Sequence, residues 1–173
     1  MRYYIFDDTL FESLLEKKLS DIDIINLSMN DCLLTEMINI LEKKDVDNSI
    51  INLLKHKNIS KELIDKYLAK NDKIYNISIA HNESLSKEQY QVLFDLNDLD
   101  IAISLASNKV LDAKILRDLY AISNEMINKT LCLNIATPIN VLMQLQLDNE
   151  LKILVKDNIT YQKFAEKMIG FTE

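Results

Sequence analysis

The stretch whose reading decides the fold runs from Asp98 to Leu145: DLDIAISLASN (98–108), KVLDAKILRDLYAIS (109–123), NEMINKTLCLN (124–134) and IATPINVLMQL (135–145). The first and third segments align residue by residue. Each opens on a polar side chain, carries Ile101 or Ile127 and then Leu105 or Leu131 on one helical face, passes a small residue (Ala106 or Cys132) and closes on Asn. The stretch is two turns of one repeated motif, and self-similarity at a fixed period is the signature of stacked supersecondary units.

The repeat can be traced to both ends. Asn30, Asn58, Asn82, Asn108, Asn134 and Asn158 recur at intervals of roughly 24 to 28 residues. Ten residues before each lies Ser20, Asn48, Asp72, Asp98, Asn124 or Asp148. These six are all residue types whose side-chain oxygen can accept a free N–H of a first helical turn. Between the two markers the spacing predicts a short helix. Its apolar positions lie seven before the closing Asn (Ile51, Tyr75, Ile101, Ile127, Leu151) and three before it (Leu27, Ile79, Leu105, Leu131, Val155). Four residues apart, they share one face. Ala80, Ala106 and Cys132 then leave room for a neighbouring helix to approach closely.

A helix often ends on a left-handed residue, usually Gly and sometimes Asn. With one Gly in the chain, at position 170, the closing asparagines are expected to make these left-handed turns. The functional alternative is that their side chains form a surface ladder that binds something. A second helix is expected after each Asn, capped by Ser60, Ser86, Asp112, Thr137 or Thr160. Thr137-Pro138 reads as a cap followed by proline at the first helical position, and Ser86 with Gln89 has capping-box spacing. These helices carry Leu63, Tyr67 and Leu68; Tyr90, Leu93 and Phe94; Leu116, Leu119 and Tyr120; and Val141, Leu142 and Leu145.

The run from Leu131 through Asn134, Thr137-Pro138 and Leu142 to Leu145 resembles the leucine-rich repeat variant family, whose units follow L-A-x-N-x-x-T-P-x-x-x-L-x-x-L. Ile79-Ala80-His81-Asn82 and Leu105-Ala106-Ser107-Asn108 fit its first half, and the resemblance covers about residues 45 to 170. It implies a right-handed superhelix of alternating helix types. The chain lacks most of the family's prolines, the usual arginine of its second helix, and the cysteine cluster that holds an iron–sulfur centre in one member, so no cofactor is expected. A degenerate HEAT-like array makes the same architectural prediction. The expected fold is all-α: a short α-solenoid of about six two-helix repeats, each roughly 24–28 residues long, plus a terminal helix. It is expected to form a single domain over 1–173, with a cap and first helix over 1–19, repeats over 20–158 and a capping helix over 159–173.

Tyr3, Tyr4, Ile5 and Phe6 are expected to cover the open end of the first repeat, as terminal units of solenoids must, or alternatively to hook a partner. A first helix is expected from about Asp8 to Leu19, and Gly170 as the C-cap of the last one. No apolar run reaches the ~18 residues of a membrane span, and the start lacks the apolar stretch of a signal peptide, so a cytoplasmic, membrane-free protein is expected.

The formal charge is −7, with 7 basic and 11 acidic residues in 1–60 and 13 and 16 in the remainder. No basic block offers phosphate neutralisation, which disfavours nucleic acid as a partner. An acidic chain could instead bind a basic protein, or its acids could simply cap and solvate helices. Cys132 occupies the small-residue position, and Cys32 and Cys132 are too few for a zinc site. His56 and His81 are expected near the ends of successive second-type helices, where the dipole accounts for histidine, the alternative being a metal that bridges them. Asp98 with Asp100, and Asp21 with Asp23, lie beside capping positions and need no catalytic role. One Gly leaves no phosphate loop, and no nucleophile signature stands near either His. No catalytic, cofactor or metal residue is assigned. The expected function is protein–protein interaction, an antitoxin- or immunity-type protein being one version and a HEAT-like nucleic-acid binder the other class. A groove lined by Tyr67, Tyr90, Phe94 and Tyr120 would support it; their burial would weaken it.

Overall fold

The computed structural model describes Phe11, Glu16 and residues 18–169. The aromatic N-terminal segment, most of the helix expected over Asp8–Leu19, and Gly170 lie outside the described residues, although Phe11 is helical and buried. The described residues form helices and turns with no strand: α1 (Asp21–Ser28), α2 (Thr35–Glu42), α3 (Asp47–Leu54), α4 (Lys61–Ala69), α5 (Lys73–Ala80), α6 (Lys87–Asp95), α7 (Leu99–Ser107), α8 (Ala113–Ala121), α9 (Glu125–Leu133), α10 (Ile139–Leu145), α11 (Lys152–Asp157) and α12 (Ile159–Ile169). The chain divides into two compact units, Met1–Leu85 and Ser86–Glu173. In the first, α1, α3 and α5 stack side by side, with α2 packed on α1 and α3 and α4 on α5. In the second, α7, α9 and α11 stack, and α6, α8, α10 and α12 cover them. The fold is the expected all-α, solenoid-like repeat.

The period proves more regular than the asparagines indicate. The second-type helices α2, α4, α6, α8 and α10 open after Leu34, Ser60, Ser86, Asp112 and Pro138, an evenly spaced series. Leu41, Tyr67, Leu93, Leu119 and Leu145 keep this spacing and are all buried, as are Ile38, Ile64, Tyr90, Leu116 and Leu142. These positions, three residues apart, form the inward stripe of the second-type helices. Such helices have seven to nine residues, too short to persist alone, so stacking holds them.

Three assignments change. First, α3 opens after Val46, not Asn48, which sets its start midway between Ser20 and Asp72. Its end shifts with it: the amide of His56 donates to the carbonyl of Leu53 at 3.0 Å, as Asn82, Asn108 and Asn134 donate to Ile79, Leu105 and Leu131. His56, not Asn58, closes this repeat. Second, Asn108, Asn134 and Asn158 are extended, with ψ of 120–122°. Among the described residues, the left-handed ones are Asp45, Asn71, Asn97 and Ser123, at φ of 50–57°, each just ahead of the next first-type helix. Third, Thr137 and Thr160 do not cap. Thr137 Oγ1 donates to the carbonyl of Leu131 at 2.7 Å, satisfying the end of α9. Asn158 Oδ1 accepts from the amides of Thr160 and Tyr161, so α12 opens directly at Asn158. Ser20, Ser60, Asp72, Ser86, Asp98, Asp112 and Asn124 cap as expected, Ser86 in a full capping box. Asp148 accepts the amide of Glu150 and heads the turn that runs into α11.

Candidate functional site

Closing residues tie one repeat to the repeat before. Asn134 Nδ2 donates to the carbonyls of Ala106 and Asn108, both at 2.8 Å, and Asn158 Nδ2 to those of Cys132 and Asn134 at 2.8 and 3.0 Å. In the first unit, Asn82 Nδ2 reaches the carbonyls of Leu54 and His56 at 2.8 and 3.1 Å. The Oδ1 atoms of Asn30, Asn82, Asn108, Asn134 and Asn158 each accept the amide two residues on. Asn82, Asn108, Asn134 and Asn158 are buried, so they do not form a surface ladder. Asn82, Asn134 and Asn158 saturate helix-end carbonyls that would otherwise be orphaned.

His56 occupies the same place with different chemistry. Its Nδ1 accepts the amide of Asn58 at 3.0 Å, as Oδ1 does elsewhere, which leaves the proton of the neutral ring on Nε2. Nε2 is buried and makes no hydrogen bond. Burial pushes the imidazole below its usual pKa, while the backbone carbonyls of Asn30 and Asp31 pull the other way. Beside it, Ser28, Met29, Asp31, Asn52, Lys55 and His56 line a pocket of about 220 Å³. Asn52 donates to Ser28 Oγ, which donates to the carbonyl of Ile25. The pocket lies at the C-terminal ends of α1 and α3, where dipoles repel anions, and is smaller than the ~300 Å³ of ordinary ligand sites. His81 is exposed at the C-cap of α5, so both histidines end first-type helices and not the second-type helices expected. Among the described residues no three His, Cys, Asp or Glu side chains lie close enough to hold a metal ion.

Both cysteines are free thiols; Cys32 is exposed, and burial pushes buried Cys132 up to about 11. The aromatics expected to line a groove do not stand together at the surface. Tyr67 and Tyr90 are buried, Phe94 and Tyr120 half-buried. Tyr67 is part of a polar tie in the first unit. Its hydroxyl donates to Glu42 Oε1 at 2.8 Å, and Lys66 Nζ reaches the same oxygen at 2.6 Å. Burial pushes the Glu42 carboxyl up, but Lys66 and Tyr67 more than offset this and hold it below its usual range. Tyr75 meets Tyr67 edge-on at 5.0 Å and donates to Asp47, while Lys70 lies 4.1 Å over the Tyr67 ring. Every polar end here has a partner, which marks a structural tie between turns.

Unsatisfied surface lies elsewhere. In the second unit, the turns entering α7, α9 and α11 carry the exposed apolar side chains Leu96, Leu99, Ile122, Met126 and Leu147. Among the described residues no helix is long and apolar enough to cross a membrane. The chain matches no family model, no curated protein and no solved structure.

Proposed function

We propose that this protein is a non-enzymatic protein-interaction module, a helical-repeat array of the leucine-rich-variant or HEAT-like kind, working in a reducing, cytoplasmic compartment. The observation that carries the reading is the set of large apolar side chains left exposed at recurring turns, from 36% for Leu96 and 46% for Ile122 to 77% for Leu147. Exposed apolar groups gathered on one edge are a feature of docking surfaces, whereas the carboxamides of Asn82, Asn134 and Asn158 are spent on hydrogen bonds inside the repeat. The two free thiols suit a reducing compartment. A charge of −7 favours a basic protein over nucleic acid, and an antitoxin- or immunity-type role against a basic toxin is the specific form.

Affinity capture from lysate of the source organism, with nuclease treatment and a salt series, tests this reading by mass spectrometry. One stoichiometric protein that survives nuclease and salt is expected. Recovery of only nuclease-sensitive material would replace the module with a nucleic-acid binder.

A further inference from the structure

The turns that lead into the first-type helices differ in charge between the two units. In the first unit, the turns before α3 and α5 mix Lys43, Lys44, Lys70 and Lys73 with Asp45, Asp47 and Asp72. In the second unit, the turns before α7, α9 and α11 carry Asp95, Asp98, Asp100, Glu125, Asp148 and Glu150, with Lys152 among them and Lys129 of α9 paired to Glu125. Lys129 is drawn back to Glu125, and the carboxylates of Glu150 and Asp148 also act on it. The Asn134 and Asn158 clamps hold α7, α9 and α11 in register, so the three turns lie along one edge. On that edge the acids alternate with Leu96, Leu99, Ile122, Met126 and Leu147, all exposed.

Resting on the interaction reading above, we propose that this edge of the second unit is the docking surface and that its occupant is a cationic amphipathic segment of another protein. Apolar side chains alone would accept many partners; the carboxylates between them select lysine and arginine. The same charge repels anionic lipid, nucleic acid and a second copy of this acidic chain. Helices stacked ~9 Å apart put the outer turns on the order of 20 Å from each other. A bound helix would therefore need about 15 residues to cross all three turns.

The probe is a labelled helical peptide of lysine and leucine, about 15 residues long, titrated into the full chain by fluorescence anisotropy and followed by amide NMR. Binding should shift the amides of residues 95–100, 121–126 and 146–150. The exposed-site variant Met126→Ser/Leu147→Ser should weaken binding about tenfold at low and high salt alike. Asp100→Asn/Glu150→Gln should weaken it about threefold at low salt, an effect that vanishes at high salt. Ile22→Ser/Ile74→Ser, comparably exposed positions in the first unit, should change nothing. Circular dichroism confirms that each variant keeps its helices. No binding at millimolar peptide, or equal loss from the first-unit variant, would overturn the edge. If lysate capture still yields one salt-resistant partner that the second-unit variants retain, this surface is wrong while the interaction module stands.

Discussion

Asn134 makes three hydrogen bonds with one buried side chain: two donated to the carbonyls of Ala106 and Asn108 and one accepted from the amide of Ala136. A carboxamide suits the place because it offers a two-hydrogen donor and an acceptor on one planar group. Asn134→Ala strands two buried carbonyls and an amide, and should cost about 2–4 kcal/mol in urea unfolding. His56 keeps only the acceptor half of this arrangement. Its folded pKa lies below the ordinary 6.5, so the unfolded chain takes up the proton first as pH falls. The stability contribution is full above 6.5 and is lost below it. Asp23 and Asp112, which are depressed from 3.8, and Glu42, depressed from 4.5, lose theirs only at lower pH. A fall in stability between pH 7.5 and 5.5 therefore belongs to His56 and to His81, which is lowered too. His56→Asn should flatten that slope by about half, with two histidines contributing, as read by denaturant unfolding at both pH values.

Elements here repeat in backbone geometry more faithfully than in capping chemistry, and that decides what could be read from the sequence. Helix type, order and inward face were legible because Leu, Ile and Tyr recur at helical spacing. The second repeat slipped by two residues because Val46, its true N-cap residue, has no capping oxygen, and Asn48 and Asn58 stood nearby as decoys. The corrective signal was present: three residues before Asn58 stands Lys55, where the other repeats have an apolar residue, whereas three before His56 stands Leu53. The left-handed turns were misplaced because Asn serves two jobs in this chain, as Asn71 and Asn97 in the turn and as Asn82 and Asn134 in the clamp. Ser123, at φ of 57°, does the turn job less well, since its hydroxyl supports the left-handed conformation more weakly than a carboxamide does. Ser123→Gly should raise stability by about 0.5–1 kcal/mol, and Ser123→Val should lower it, both measured by thermal melting.

At the scale of the whole molecule, stability is the sum of weak repeats and the contacts between neighbours. No helix of six to eleven residues is stable alone, so the ties between repeats carry the account. The exposed edge was not legible in advance. The expected groove rested on aromatics, and in the helices these turn inward or half inward. The exposed apolar residues cluster at turns and helix ends, outside the inward periodicity. The measurement that tests the central claim most directly is hydrogen exchange of the asparagine side-chain Nδ2–H groups by NMR, with exposed Asn149 as internal reference. If the closing asparagines clamp successive repeats, the Nδ2–H signals of Asn82, Asn134 and Asn158 will exchange slower than those of Asn149 by about 100-fold or more. Exchange of all four at one common rate would contradict the clamp, and with it the account of how this chain holds its repeats together.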